Sequence, residues 1–191
     1  MSDKLTPQDL VEELDALGFY RFVKPHRIER LKAQFLKSPS LWTLTHWTKR
    51  NYPADEERLA EGGVGTFLEE LASILKACGV RLRQIEEKCD VDGYSIAINN
   101  QVYELYSAED VRAANEDKSL AMWEKTTQRS FALINRLLRE QGSDERIYSY
   151  AGWNDHWAFV LTEAMYATLK DSDLKHDVAQ LILYDVQGLE R

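Results

Sequence analysis

The sequence predicts an α+β fold, an antiparallel sheet built from hairpins and packed against several helices. Three observations lead there. Apolar residues recur every three or four positions near the N-terminus and again over 119–140. Short runs rich in β-branched and aromatic residues, divided by turn residues, occupy 80–106 and 146–161. Helices and hairpins come in blocks rather than as alternating strand–helix–strand units, which argues against a parallel sheet. The 191 residues fall in the usual range for one domain. A single domain spanning 1–191 is therefore expected, with a helical N-terminal part at about 6–38.

Taken in order, Thr6 as N-cap and Pro7 at the first helical position open a helix whose apolar stripe is Leu10, Val11, Leu14 and Leu17. Gly18 is placed to end it. Pro25 starts a second helix with Ile28, Leu31, Phe35 and Leu36 on one face, and Ser38-Pro39 stops it. The aromatic and β-branched content of 41–47 reads as a strand, and Asn51-Tyr52-Pro53 as a loop. Gly62-Gly63-Val64-Gly65 lacks the Gly-Lys-Ser/Thr that gives a phosphate loop its chemistry, so it reads as a flexible lead-in to a helix. That helix carries Phe67, Leu68, Leu71, Ile74 and Leu75 and stops at Gly79.

Segments 80–89, 94–98 and 102–106 form a predicted meander, with turns at Asp92-Gly93 and Asn99-Asn100. Ser107-Ala108-Glu109-Asp110 begins a polar connection. The longest helix, 119–140, presents Leu120, Trp123, Thr127, Phe131, Ile134, Leu137 and Leu138 on one face. A second hairpin, 146–151 with 156–161, turns through Gly152-Trp153-Asn154-Asp155. Thr162 caps a further helix, and 173–184 reads as a short helical end.

Most local catalytic and metal signatures are missing. The four histidines show no His-Glu-x-x-His spacing, and Cys78 and Cys89 make no Cys-x-x-Cys pair, so no metal and no cofactor is expected. Asp90-x-Asp92-Gly93 has part of a calcium-loop pattern but lacks its closing glutamate, and a hairpin turn explains it better. No Gly-x-Ser-x-Gly elbow occurs. Asn154-Asp155-His156 is the one compact acid–imidazole cluster, yet alternation along a strand sends Asp155 and His156 to opposite faces. An enzyme with a non-local acid/base site drawing on Asp155, His156 or His46 is the alternative this leaves. The two cysteines read as reduced thiols, and no secretory signal pattern is visible, so a cytoplasmic protein is expected. The longest apolar run, Trp157 to Leu161, is too short to span a bilayer, so no membrane is expected.

The net charge of −8 conceals a polarised chain. Segment 21–50 carries +7, segment 86–117 carries −7, and the remainder carries −8. The basic segment contains Phe22, Phe35, Trp42 and Trp47, which raises nucleic-acid binding. Against it, these aromatics fall on predicted core faces, the net charge repels phosphate, and no RNA-binding or helix-turn-helix signature is present. The acidic segment is better suited to a cationic partner, through Asp90, Asp92, Glu109 and Asp110. Trp153, at a hairpin turn with Asp155 beside it, is the preferred exposed anchor, while Tyr148 and Tyr150 share a half-buried sheet face.

The block running from the long helix through Ser143-Asp144-Glu145-Arg146-Ile147-Tyr148-Ser149-Tyr150-Ala151-Gly152-Trp153-Asn154-Asp155 to Thr162 covers roughly a quarter of the chain. In layout and character it resembles the small acidic bacterial immunity proteins of polymorphic toxin systems. The resemblance implies a non-catalytic, protein-binding inhibitor that neutralises a cognate toxin acting in the cytoplasm. The toxin is expected to present a basic surface. Such proteins share no catalytic residues to carry over. The partner-binding residues expected here are Asp90, Asp92, Glu109, Asp110, Trp153 and Asp155.

Overall fold

Thr6 closes a capping box with Asp9, and Pro7 takes the first helical position, so α1 (Pro7–Ala16) begins where the sequence places it. The structure, a computed structural model, describes residues 5–117, 121–152 and 155–185. After α1 come α2 (Pro25–Lys37), α3 (Leu41–Thr45), β1 (Asn51–Pro53), α4 (Glu56–Arg58) and α5 (Val64–Ala77). A meander of β2 (Ile85–Asp90), β3 (Gly93–Ile98) and β4 (Gln101–Ser107) leads into α6 (Ala108–Asp117) and α7 (Ala121–Glu140). The chain closes with β5 (Glu145–Gly152), β6 (Asp155–Thr162), α8 (Glu163–Lys170), α9 (Lys175–Val178) and β7 (Leu181–Leu183). Helices with antiparallel sheets make the fold α+β.

The strands form two sheets, ordered β1-β6-β5-β7 and β2-β3-β4. The four-stranded sheet has a core on each face. On one, Tyr148, Phe159 and Leu161 meet Leu10, Leu14, Leu31, Phe35 and Leu44 of the N-terminal helices. On the other, Ile147, Ala158 and Val160 meet Phe67 and Leu71 of α5 and Phe131 and Ile134 of α7. Tyr94, Ile96 and Leu105 of the three-stranded sheet belong to this second core too, so α5 and α7 are packed between the sheets. Strand alternation produces the division, because successive residues of β6 enter different cores.

Four local readings are corrected. Segment 41–47 starts as a helix, because Ser40 and Thr43 form a reciprocal cap, each backbone N–H donating to the other's hydroxyl at 3.1 Å. Leu41 and Leu44 are then buried on one helical face. Asn51–Pro53 is an edge strand paired with Trp157 to Phe159 of β6. The polar connection after Ser107 is the first turn of α6, and 173–184 divides into α9 and β7.

The glycines at 62–65 are a lead-in to a helix, and the protein fills the helix end itself. Glu87 of β2 accepts the Gly65 N–H at 2.8 Å and the Tyr94 hydroxyl, and that hydroxyl accepts the Val64 N–H at 3.1 Å. An internal carboxylate thus sits where a helix N-terminus would attract an anion. Gly62 has φ +92°, and a Cβ on Gly63 would lie 2.5 Å from the Arg58 carbonyl oxygen, so the turn needs both glycines.

Arg50, just before β1, has no solvent exposure. Its Nη1 donates to both Glu145 oxygens, at 3.0 and 2.9 Å, and to the Val160 carbonyl at 2.8 Å. Its Nε donates to the Phe19 carbonyl at 2.6 Å and its Nη2 to the Gly18 carbonyl at 3.3 Å. The Phe19 and Phe22 rings flank the guanidinium, each centroid 4.9 Å away. Burial lowers the Arg50 pKa, and the hydrogen bond to Glu145 opposes that shift. Removing Glu145 leaves Arg50 buried without a carboxylate, and removing Arg50 leaves buried Glu145 with only the half-exposed Arg21, so Arg50→Ala or Glu145→Ala should each lose about 3–5 kcal/mol in urea denaturation. Replacing both by apolar residues, Arg50→Met with Glu145→Leu, should recover much of that loss; a double variant no better than the worse single one would contradict this account.

Candidate functional site

At the tight β2–β3 turn the Asp90 carboxylate accepts the Asp92 N–H at 3.0 Å and lies 3.3 Å from Lys88 Nζ. These two contacts hold the Asp90 carboxyl below its ordinary range. At the β4–α6 junction, Ser107 N–H donates to Asp110 at 2.9 Å and Asp110 N–H donates back to the Ser107 hydroxyl at 3.3 Å. Asp110 is also paired with Lys125 and with Arg129 of α7. Burial pushes the Asp110 carboxyl up, but the Lys125 ammonium and the Ser107 N–H outweigh it and hold the group below the usual carboxylate range. Asp110 therefore anchors α6, and its neighbour Glu109 is exposed. Asp90, Asp92 and Glu104 line a hollow of about 200 Å³ that reaches Ala108, next to Glu109.

Of the other candidates, Trp153 lies outside the described residues. Asp155 opens β6 opposite Gly152, and its side chain is likewise outside what is described. Asp90, Asp92, Glu109 and Asp110 thus adjoin the three-stranded sheet, and Asp155 opens a strand of the four-stranded one.

The basic segment is partly consumed inside the molecule. Arg50 is internal, Arg21 lies 3.0 Å from Glu145, and Lys32 pairs with Asp15 at 2.6 Å and Glu29 at 3.2 Å. Arg27 and Lys49 have no carboxylate partner among the described residues. They line a cleft of about 820 Å³ with Trp42, His46, Trp47 and Trp157, and with Asn51, Tyr52 and Ser73. Burial pushes the Tyr52 hydroxyl up to about 12, so it stays neutral. Trp42 is fixed edge-on against Trp157, Phe159 and Tyr150, at centroid distances of 4.6, 5.6 and 6.1 Å.

Trp47 is different: it is 60% exposed, touched by the His46 ring at 4.5 Å. Its φ is +63° and that of Lys49 is +62°, a left-handed backbone that costs about 1–2 kcal/mol per non-glycine residue. Between them Thr48 is fully buried, its N–H and hydroxyl both donating to the Thr45 carbonyl at 3.1 and 2.5 Å. The turn holds Thr48 inside and leaves Trp47 and Lys49 on the cleft. The expectation that Trp42 and Trp47 fall on core faces is corrected here. The Ser40-x-x-Thr43 cap was the available signal, since a helix begun at 41 ends before Trp47.

His156 and Trp157 are adjacent on β6 and point to opposite faces, so His156 is separated from His46 in the cleft. The carboxylate found beside His156 is Glu56 of α4, with His156 Nδ1 3.3 Å from Oε1. Among the described residues no group of three or more His, Cys, Asp or Glu is placed to hold a metal ion, and no helix is long and apolar enough to cross a membrane. No family model, curated protein or solved structure matches this chain.

Burial raises the Glu56 carboxyl above its ordinary 4.5, with His156 opposing and Glu124 and Asp55 adding to the shift. A carboxyl with a raised folded pKa binds its proton more tightly when folded, so its ionisation costs stability as pH climbs from about 4.5 through the raised value. Over that window wild type should lose stability relative to Glu56→Gln in a pH series of urea denaturations. Parallel curves for the two proteins would show that Glu56 titrates normally.

Proposed function

We propose that the chain is a non-catalytic inhibitor of a cationic protein, of the immunity type, acting on a cognate toxin in the cytoplasm. What supports the reading is the convergence of Asp90, Asp92 and Glu104 on one hollow beside Glu109. The end of β2, the turn after it and β4 bring three carboxylate residues to one hollow, with Glu109 of α6 next to its rim, and a dense negative field speeds capture of a basic partner. The nearby cations are few: Lys88 is spent on Asp90, and Arg129 is shared by Glu104 and Asp110. Asp110, tied to Lys125, sets the direction in which α6 carries Glu109. Trp153 and Asp155 remain proposed contacts.

The test is co-expression with the toxic domain encoded by the adjacent gene. The chain should restore growth and co-purify with that domain. Joint reversal by Asp90→Lys, Asp92→Lys and Glu109→Lys should slow association about tenfold or more at low salt, with a smaller effect at high salt. Absence of both rescue and complex would overturn the inhibitor reading. A complex formed at an unchanged rate by the reversed variant would overturn the acidic face as its site.

A further inference from the structure

We propose that the tryptophan-lined cleft binds a free nucleoside phosphate, a planar base joined to an anionic group. This goes beyond the inhibitor reading and uses none of the acidic face. The cleft, about 820 Å³, lies within the size range of small-ligand sites. Its wall is aromatic, and no described lining residue is acidic. Arg27 from α2 and Lys49 from the turn before β1 supply two cations that no carboxylate neutralises among the described residues.

The rings have distinct parts. Trp42 and Trp157 are locked edge-to-face against each other, which makes them a fixed wall. Trp47 has an exposed ring and contacts only His46 among the aromatic pairs, so its face is free to stack on a base. Two non-glycine residues in left-handed backbone, two positions apart at the ends of Trp47-Thr48-Lys49, keep a ring and a cation on one cleft at a conformational cost. A turn with no ligand to serve would accommodate glycine or asparagine at those positions more readily. Stacking on Trp47 with the phosphate on Arg27 and Lys49 uses each of these features. A purely apolar occupant would leave both cations unused.

The test is isothermal titration calorimetry of the intact chain with adenosine 5′-monophosphate at low salt. Adenosine, inorganic phosphate and a short oligodeoxyadenylate serve as comparison ligands. Trp47→Gly removes the ring while relaxing the left-handed backbone, so loss of folding is not the confounder, and Lys49→Glu reverses the phosphate contact. Each variant should raise the Kd for the monophosphate about tenfold or more, and adenosine or phosphate alone should bind wild type more weakly by a similar factor. The proposal is overturned by no binding of the monophosphate, by undiminished binding in either variant, or by phosphate alone binding equally well. Oligodeoxyadenylate binding without monophosphate binding would also overturn it, in favour of a strand-binding surface.

Discussion

The buried Arg50–Glu145 pair is the constraint on which the arrangement of layers depends. One guanidinium ties the turn after α1, through Gly18 and Phe19, to the first residue of β5 and the middle of β6. Burying two charges is expensive, and an apolar replacement of equal volume stabilises about as well. What the pair adds is direction. A guanidinium with fixed donors accepts only one placement of the helical layer on the sheet. Val160 N–H donates to the Arg50 carbonyl at 2.8 Å, so the same residue also sets where β1 joins β6. Because Trp47 to Lys49 directly precede Arg50 in the chain, the cleft inherits its position from this contact.

Internal pairing changes what the charge map means. The +7 and −7 segments look like two surfaces in the sequence, but the fold uses part of each internally. Arg50, Arg21 and Lys32 have carboxylate partners, Glu87 caps α5, and Asp110 is anchored to α7. Some of the other charges gather at two places: Asp90, Asp92 and Glu104 on one hollow with Glu109 beside it, and Arg27 and Lys49 on one cleft. Surface charges of this kind contribute little to stability, typically under 1 kcal/mol per pair. What such charges set is the local field at the surface.

Much of the fold was legible because its signals are local. Thr6-Pro7, Thr162 and the turn residues at 92–93 and 99–100 act within a few positions of themselves, and the meander, the second hairpin and α7 follow from simple periods. The misreadings have two causes, a local cap that overrides strand propensity and pairing with segments remote along the chain. At 41–47 the propensity of Trp42, Thr43 and Thr45 points to a strand, but a two-residue cap and the burial of Leu41 and Leu44 decide for a helix. β1 and β7 have three residues each, too few to show a period, and exist because β6 and β5 offer edges to pair with. Charge alone points to Asp90, Asp92 and Glu109, but not to Glu104 on the same hollow or to the anchoring of Asp110 by Lys125 and Arg129. The aromatic cleft could not be named from the sequence, since α2, the turn at 47–49 and β6 meet only in the folded chain.

The two surfaces adjoin different sheets, and α5 is the physical link between them. Its N-terminus is held by Glu87 of β2, while Ser73, about 12 Å further along the axis, lines the cleft. Coupling between sites requires an element with two discrete arrangements that each ligand biases differently. α5 is poorly suited to that. Phe67, Leu68, Leu71, Ile74 and Leu75 fix its inner face between the sheets, and Gly79 at φ +89° follows its C-terminal end. A helix restrained along its length and at its capped end transmits position but not a switch. α5 thus gives the two proposed sites a common frame without a switch between them, and occupancy of either is expected to leave the other's affinity unchanged.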